Sequence, residues 1–565
     1  MIPENKPELL NAHRIYNIAF VGSGVSNAFT LLHFLRGLDQ SEARREKLRI
    51  AVIEKDSQLW TGLVYGNRSS ANSLLINNLR EFIPAAIKED FIYWLKSHRN
   101  EWSRHLAESG GAAAETWLAQ NKKNMDIGSW DDIFLPRRLF GSFMTEQLEA
   151  AIARAQNMGY IELDRLHADV ESVTWKAGKF DLRLKYHDGN SAAIESQLAI
   201  LGIGSPSVQA LRTEGLSPSH ESAYLADIYV TSLDANIDRI RKAMDSAPAT
   251  RNLLIVGSNA SALEVIYLCD QIPELRNAID KIICISPSGK LPEIGAKVSL
   301  DAVILDNLER LEKRNDVQSD ELMAAIRNDA GDLQRQGVNI LDAFPKISEI
   351  VISILGRMDK KQAEHFHHNH GNNFTRMVRR GGQEYVSAAA RLKAQNRLTM
   401  VPGRFLSLRP GTENHLLRCV YASNNSSTTE CHALEFGMVV NCSGFETLDD
   451  ASSSKLISTL IRHGVCKVNP SGHGFEVNND FEASPNFFVA GPLLAGIFND
   501  RLRSWHIENA KKIYYASDDL AKILIDRLET REVPDVLGAS PESLGFQALN
   551  ADLNAVGNET FSMSR

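Results

Sequence analysis

The chain has 565 residues, of which 43% are hydrophobic and 23% are charged, as expected of a folded protein with two or three domains. Its 70 acidic and 62 basic side chains give a net charge of −8, which argues against a nucleic-acid-binding protein. Neither a signal-peptide core nor an apolar run of about 18 residues occurs, so we expect no membrane span. The six scattered cysteines include no Cys-x-x-Cys dithiol, which favours the reducing cytoplasm.

The first element pattern is a β-α-β unit near the N-terminus. Residues 16–21 (YNIAFV) form a short apolar run that predicts a buried parallel strand, and residues 50–53 predict a second one. A glycine-containing turn at 22–27 and a helix with apolar residues at helical spacing lie between them. This order of elements is typical of a dinucleotide-binding unit.

The turn of this unit has the residues that a pyrophosphate needs. Gly22 permits the tight turn, and Gly24 leaves room for a phosphate at the positive end of the following helix. Asn27 stands where the fingerprint has its third glycine, and Glu54 is placed to accept hydrogen bonds from a ribose. The candidate cofactor-binding residues here are Gly22, Gly24, Val25, Ser26, Asn27 and Glu54.

A second unit of the same kind begins about 235 positions later. Residues 253–256 predict a strand, 257–262 a turn, and 282–285 the next strand. This strand ends in Ser286 rather than in an acidic residue, so a 2′-phosphate is tolerated and NADPH is favoured over NADH. The candidate nicotinamide-site residues are Gly257, Ser258, Asn259, Ser261, Ser286 and Lys290.

The remaining segments alternate between strand and helix patterns. Residues 295–400 are mostly helical and polar, 503–527 predict a periodic helix, and the segment after 532 has the composition of a loose tail. Further strands are predicted at 181–186, 196–201, 438–442 and 487–490.

Ordered motifs give the chain a family resemblance. They are Gly62-Leu63-Val64-Tyr65, Leu74-Leu75-Ile76-Asn77, Phe91 to Leu95, Leu135-Pro136-Arg137, Leu198 to Gly204, Val440 to Phe445 and Phe488 to Pro492. With the two β-α-β units they resemble the FAD/NAD(P)-binding proteins with two dinucleotide domains. The chain is also similar, more distantly, to single-component flavin monooxygenases, including N-hydroxylating ones, although the Phe-x-Gly-x-x-x-His fingerprint of the classical flavin monooxygenases is missing.

The resemblance implies an α/β fold with two Rossmann-like domains, a discontinuous FAD domain and a helical insertion. The expected boundaries are FAD domain 1–250, NAD(P)H domain 251–345, a helical segment and possible lid 346–400, FAD domain 401–530 and a loose tail 531–565.

The same resemblance implies further FAD contacts. Val170 would meet the adenine through its backbone, Arg137 would bridge phosphates or ribose, and a helix beginning near Arg503 would direct its positive end at the flavin ring. The additional FAD-binding candidates are Gly62, Tyr65, Asn77, Arg137, Val170, Gly204, Gly491 and Pro492.

Two histidine-containing segments allow other interpretations. His506 is the candidate catalytic residue, as a proton carrier or a substrate contact. Four histidines lie within 365–370, but no cysteine or carboxylate at a recognised zinc spacing accompanies them except Glu364, so no metal site is expected. The basic run 376–380 is a candidate contact for NADPH phosphates or a solvated face.

The expected function is an FAD-dependent, NADPH-using oxidoreductase. The resemblance favours a monooxygenase that takes molecular oxygen and, through a flavin hydroperoxide, oxygenates a small substrate at an amine nitrogen or thioether. Two alternatives stay open: an FAD/NAD(P)H reductase or dehydrogenase that inserts no oxygen, and a flavin- or nucleotide-binding sensor without catalysis.

Overall fold

The computed structural model of the chain describes residues 14–40, 46–246, 250–294, 303–413, 415–424, 429–449 and 451–531. The predicted tail after 532 lies outside these residues. Among the helices of the described part, none is long and apolar enough to cross a membrane.

In the described residues, sixteen strands form two large sheets and one small hairpin. In chain order they are Ile15–Val21 (β1), Leu48–Glu54 (β2), Ile161–Lys176 (β3), Lys179–Tyr186 (β4), Ser191–Leu201 (β5), Tyr224–Leu225 (β6), Asn252–Val256 (β7), Lys281–Ser286 (β8), Leu398–Pro410 (β9), Leu417–Ser423 (β10), Thr429–Cys431 (β11), Met438–Asn441 (β12), Glu482–Ser484 (β13), Phe487–Val489 (β14), Ile497–Phe498 (β15) and Arg503–Ser504 (β16).

Helices occupy the segments between and after these strands. They are Val25–Gln40 (α1), Gly62–Tyr65 (α2), Leu79–Phe82 (α3), Ala85–Ser97 (α4), Arg99–Asp126 (α5), Arg137–Asn157 (α6), Pro218–Glu221 (α7), Leu233–Ser246 (α8), Ala260–Gln271 (α9), Pro273–Ala278 (α10), Asp306–Glu312 (α11), Ser319–Arg335 (α12), Ile340–Arg357 (α13), Lys360–Asn369 (α14), Gly371–Met377 (α15), Gln383–Ala394 (α16), Lys455–Arg462 (α17) and Ala510–Arg531 (α18), with a 3₁₀ turn at Gly491–Leu494.

The first sheet is built from both ends of the chain. Its parallel part has the order β3-β2-β1-β5-β14. Strand β4 pairs antiparallel with the second half of β3 and with the first half of β5. In register, Val21 is paired with both Ile53 and Leu201, and Leu201 with Val489. The parallel strands are therefore aligned at their carboxyl ends, which is the edge where ligands bind in open α/β sheets.

The second sheet has the order β11-β10-β9-β8-β7-β12-β6. Its strands β6, β12, β7, β8 and β9 run parallel, whereas β10 pairs antiparallel with both β9 and β11. Val256 lies between Asn441 and Ile285 in register, so the turn after β7 again follows the carboxyl edge. The predicted fold class, two Rossmann-like units with the first one discontinuous, is confirmed.

The return of the chain to the first unit comes later than the sequence analysis places it. The pairing puts β9 to β12 in the second sheet, whereas the sequence predicts residues 401–441 in the FAD domain. The first sheet resumes only at β13. The alternating pattern of a strand shows which face is buried, but it does not show which sheet the strand joins. The long strand β3 was also not predicted.

The helical insertion has a hydrophobic core of its own. Helices α11 to α15 surround a cluster that includes Leu322, Phe344, Ile347 and Phe366, all fully buried or nearly so. Trp505 packs into the same cluster from the segment after β16. The insertion thus begins before the predicted 346–400, and α16 leaves it, because the Tyr385 ring of α16 packs edge-on against Tyr267 of α9.

The C-terminal helix differs from the expectation. Arg503 and Ser504 form strand β16, which pairs with β15, and helix α18 begins at Ala510 instead of near Arg503. The expected helix end near Arg503 is therefore wrong, because a hairpin satisfies the backbone groups of this segment. A 3₁₀ turn at Gly491–Leu494 directly follows β14 instead.

Candidate functional site: two dinucleotide turns and their interface

The turn after β1 has no room for a side chain at Gly22. Gly22 has φ +86°, and a Cβ there would lie 2.7 Å from the carbonyl oxygen of Gly202. Gly62, at φ +57°, packs against Gly24, with an ideal Cβ 3.1 Å from the Gly24 Cα. The first N–H groups of α1 have no intrahelical acceptor and carry the positive helix end, so this backbone can receive a pyrophosphate.

Asn27 can occupy the position of the third glycine because Gly202, which faces it, has no side chain. Its Nδ2 donates to the carbonyl oxygens of Val21 (3.1 Å) and Gly22 (2.7 Å). A Cβ on Gly202 would lie 2.3 Å from the Asn27 Oδ1, so only glycine fits at 202. The close contact of helix and sheet, which a third glycine gives elsewhere, is here made by an amide against Gly202.

Glu54 ends β2 and is 9% exposed. Its Oε2 accepts hydrogen bonds from the backbone N (2.7 Å) and the Oγ (2.9 Å) of Ser23, and its Oε1 from the backbone N of Asp56 (3.0 Å). The carboxylate therefore fixes the turn itself. Its predicted bond to a ribose stays a prediction.

The chain returns to this turn after β14. The backbone N of Ala490 donates to the Leu201 carbonyl at 2.8 Å, and Gly491 follows with φ +71°. A Cβ on Gly491 would lie 2.2 Å from the Ser26 Oγ, so the Gly491-Pro492 turn lies directly against the start of α1. The structure thus brings together residues that are about 465 positions apart, as the FAD assignment of both segments requires.

The other predicted FAD residues lie around the same edge. Val170 is three positions beyond His167, the register partner of Glu54, and Gly204 has φ +84° with open space in front of it. Tyr65 packs edge-on against Phe140, and burial raises its pKa to about 12. Asn77 is half-buried, next to Ile76, whose carbonyl lies close to Gly382 before α16.

The second turn repeats this arrangement in the other sheet. Gly257 has φ +104°, and a Cβ there would lie 2.0 Å from the Cys442 carbonyl oxygen. Asn259 caps α9 by position without a side-chain cap bond, and its buried Oδ1 has no partner among the described residues. Such an acceptor is costly to leave unpaired, so a ligand hydroxyl fits here.

The residues assigned to the 2′-phosphate lie beside this turn. Ser286 is 4% exposed, and its Oγ accepts from the backbone N of Gly289 at 3.1 Å. Lys290 is exposed, with its backbone N donating to the Ser288 Oγ at 3.2 Å. Ser258 and Ser261 are half-buried at the start of α9. All of them lie at the carboxyl edge of the second sheet.

A buried polar network joins the two units. Arg137, at the start of α6, lies with its Nη1 3.4 Å from the Oε1 of Glu264 on α9, and its Nε donates to the Leu74 carbonyl at 3.2 Å. Tyr229 donates its hydroxyl to Glu264, and Tyr385 on α16 donates to the Leu74 carbonyl at 2.8 Å.

This environment sets the ionisation of Arg137. Although burial acts against its charge, the nearby Glu264 carboxylate contributes to a raised pKa, so the guanidinium stays charged. The prediction that Arg137 contacts FAD phosphates stays a prediction. Glu264 is not recognisable from the sequence, because it lies within an apolar helix and nothing in the chain order links it to Arg137.

His506 lies on the loop between β16 and α18. Its Nε2 is 3.6 Å from the Glu508 carboxylate, which also lies beside Arg379. The preceding Trp505 is 7% exposed, and its Nε1 donates to the Thr375 Oγ1 of α15 at 2.5 Å. The loop that carries His506 is thus attached to the helical insertion, and a catalytic role of His506 stays a prediction.

Comparisons with known proteins agree with this construction. Residues 19–206 match the FAD-NAD(P)-binding family model. The chain is 34% identical to Uncharacterized protein Rv3403c of Mycobacterium tuberculosis over 517 residues, which is 91% of this chain and 96% of the relative. It is similar to the same extent to Uncharacterized protein Mb3437c of Mycobacterium bovis.

Three solved structures share the fold at low sequence identity. An ornithine N-hydroxylase of Kutzneria sp. 744 has a TM-score of 0.52 at 13% identity, covering 92% of this chain and 100% of that one. The reduced form of an ornithine hydroxylase from Pseudomonas aeruginosa has 0.53 at 10%, with coverages of 91% and 100%. A cadaverine monooxygenase of Erwinia amylovora, bound to FAD, has 0.51 at 11%, with coverages of 95% and 100%.

The family match confirms the predicted class of cofactors, a flavin and a nicotinamide dinucleotide, and the fold matches confirm the architecture of two dinucleotide-binding units. The chain therefore belongs to the same family as the mycobacterial proteins, within the FAD/NAD(P)-binding proteins that combine two dinucleotide-binding domains.

Proposed function

We propose that this chain is a monooxygenase that uses FAD, NADPH and molecular oxygen to oxygenate a small substrate at an amine nitrogen or thioether. The observation that carries the proposal is the buried Arg137–Glu264 contact. It holds the beginning of α9, at the second dinucleotide turn, against α6 of the first unit. Two dinucleotides bound at these turns would meet at one interface, as a hydride transfer between them requires.

When bound, FAD accepts a hydride from the nicotinamide and activates dioxygen. The protein's part is to bind, orient and exclude water. The backbone from Gly22 to Asn27 would receive the pyrophosphate of FAD, and Gly491 packs against Ser26 of this backbone. Ser286 and Lys290 would hold the 2′-phosphate of NADPH, because β8 ends without a carboxylate that would repel it.

The helical insertion is the candidate lid and substrate unit. His368 Nε2 lies 3.0 Å from the Gly496 carbonyl oxygen, and Trp505 donates a hydrogen bond to Thr375. The insertion therefore contacts the segment that follows the Gly491 turn at two places, before and after the β15–β16 hairpin. A cover at this place keeps water from the reacting centre and limits the loss of reducing equivalents as hydrogen peroxide. His506 lies at the same junction and is the proposed proton carrier.

The cysteines argue against transfer of electrons to a dithiol. All six are free, and five of them are buried, where burial raises the pKa of each thiol and keeps it unreactive. The structures with the same fold include an ornithine N-hydroxylase and a cadaverine monooxygenase, which favours amine nitrogens as the substrate atoms.

The test is a coupled assay on FAD-loaded protein with NADPH, dioxygen, and either L-ornithine, cadaverine or a thioether. We expect one amine to raise NADPH consumption and to yield a product that contains one oxygen atom from labelled dioxygen. NADPH oxidation with a quinone acceptor and no labelled product from any substrate would favour the reductase. FAD binding without reduction by NADPH would favour the sensor.

The nicotinamide preference is tested by Ser286→Asp. The new carboxylate keeps an acceptor for the Gly289 N–H but repels a 2′-phosphate, so we expect the KM for NADPH to rise about tenfold or more while that for NADH changes little. Ser191→Asp, on an exposed serine at the start of β5 in the first sheet, is the matched control. Equal effects on both nicotinamides would contradict the placement of the 2′-phosphate at Ser286.

A further inference from the structure

Two histidines of the helical insertion meet a carboxylate from a different helix. His365 lies in α14, His370 lies at the junction of α14 and α15, and Asp320 lies in the first turn of α12. One ligand atom of each residue can be chosen so that all three lie within 4.8 Å of one another. The sequence predicts no metal site here, because only Glu364 accompanies the histidines and Asp320 is 45 positions before the first of them.

A buried serine orients the first imidazole. The Ser319 Oγ lies 2.6 Å from the Nδ1 of His365, and the Ser319 backbone N donates to the Gln362 Oε1 at 3.1 Å. Ser319 is 2% exposed, so it is a fixed anchor for α14. With Nδ1–H donating to this hydroxyl, the Nε2 of His365 carries its lone pair and is free to coordinate. This is the outer hydrogen bond that metal-binding histidines commonly have.

The other two groups already approach each other. The His370 Nε2 lies 2.6 Å from the Asp320 Oδ1. In a tetrahedral zinc site, ligand atoms lie about 3.3 Å apart, given bonds of about 2.0–2.1 Å. Side-chain rotation can reach this spacing, because the side chain of Asp320 is 80% exposed. The cation would also lie at the carboxyl end of α14, which favours positive charge.

We propose that Asp320, His365 and His370 bind one divalent transition-metal ion, Zn²⁺ in its usual coordination, with solvent at the fourth position. Two imidazoles and one carboxylate are ligands that suit Zn²⁺ and other late first-row metals rather than Mg²⁺ or Ca²⁺. The ion would replace the hydrogen bond between His370 and Asp320.

The bound ion would connect α12 to α14. The next residues of α14 face the other way: the His367 ring packs against Trp505 at 5.3 Å, and His368 reaches the Gly496 carbonyl. The metal would therefore stiffen the insertion on the side opposite its contact with the β15–β16 hairpin. This role is independent of the proposed monooxygenase activity.

The test uses tag-free, FAD-loaded protein that has been treated with EDTA and then dialysed. Because Cys431 is an exposed thiol that can itself bind metal, a Cys431→Ser background is used throughout. Zn²⁺ is titrated by calorimetry and Co²⁺ by its visible d–d absorption. We expect one equivalent per chain and a higher thermal unfolding midpoint with Zn²⁺.

Three variants and one control separate the site from nonspecific binding. Asp320→Asn and His370→Gln should weaken Zn²⁺ binding about tenfold or more, and Ser319→Ala should weaken it by about 10–100-fold through the orientation of His365. His105→Gln, an exposed histidine on α5, should leave it unchanged. If the background protein takes up no Zn²⁺, or if Asp320→Asn binds as tightly, the three groups form only an ion pair and the proposal is overturned.

Discussion

Arg137 and Glu264 form an ion pair, 3.4 Å apart, between the two dinucleotide-binding units, with side chains only 6% and 1% exposed. Tyr229 donates to the carboxylate, and Arg137 also donates to the Leu74 carbonyl. Burying two charges is compensated only when both are paired and hydrogen-bonded, so this contact depends on the correct docking of the two units.

The two residues should be strongly coupled. Arg137→Met leaves the buried Glu264 carboxylate without its cation, and Glu264→Gln leaves the buried Arg137 guanidinium without its anion. Each variant should therefore lose about 3–5 kcal/mol of unfolding free energy. The double variant should lose clearly less unfolding free energy than the two single variants lose together. Urea unfolding of the two single variants, the double variant and the parent chain measures the coupling, and additive losses would contradict it.

The same variants test whether Arg137 also contacts FAD. If its role is only to dock the units, Arg137→Met and Glu264→Gln should slow flavin reduction by NADPH to a similar degree and leave the Kd of FAD unchanged. If Arg137 bridges FAD phosphates, FAD affinity should fall in Arg137→Met alone. Fluorescence titration with FAD separates these outcomes.

A larger residue at position 202 should be tolerated only when Asn27 is replaced by a smaller one. Gly202→Ala places a Cβ only 2.3 Å from the Asn27 Oδ1, and this clash should destabilise the FAD unit by about 1–3 kcal/mol. Adding Asn27→Gly removes the obstacle and should recover part of this loss. Thermal unfolding of the FAD-loaded forms is the measurement. No recovery in the double variant would show that Gly202 is required for another reason.

Gly491→Ala should impair FAD binding beyond the cost of its backbone conformation. Its φ of +71° is strained for alanine, and the added Cβ would lie 2.2 Å from the Ser26 Oγ at the pyrophosphate turn. Gly178→Ala is the matched control, because Gly178 has φ +79° and nothing within 4 Å of its ideal Cβ. We expect Gly178→Ala to cost about 1 kcal/mol of stability through its backbone conformation. Gly491→Ala should cost more, because the clash adds to the same backbone cost, and it alone should weaken FAD binding.

Glu384 should make the stability fall as the pH rises. Burial raises the pKa of this α16 carboxyl from 4.5 to about 7, and its Oε2 has no partner among the described residues. Because the folded chain holds the proton more tightly, the stability that this group contributes is complete below pH 4.5 and is lost as the pH rises through 7.

Glu384→Gln should remove this loss. The variant's unfolding free energy should exceed that of the parent chain by a difference that grows between pH 4.5 and 7. This difference should reach about 1–2 kcal/mol, a value reduced from the full effect of the pKa shift because Glu384 is partly exposed. Urea unfolding at several pH values measures it, with the exposed Glu115→Gln as control. A constant difference across this range would contradict the shifted pKa.

The local patterns of the sequence determined the two β-α-β units. Apolar runs predicted β1, β2, β7 and β8 to within two residues at each end, because a strand buried on both faces admits few polar side chains. The glycines at 22 and 257 predicted the turns, since their positive φ excludes other residues.

Only the tertiary structure decided which distant residues meet. Strands β9 to β12 join the second sheet, the hairpin β15–β16 replaces the expected start of the last helix, and Glu264 and Asp320 reach partners far along the chain. Periodicity records how each segment is buried, but pairing between segments depends on long-range packing. The sequence alone thus determined the cofactor turns, whereas their docking and the Asp320–His370 contact required the fold.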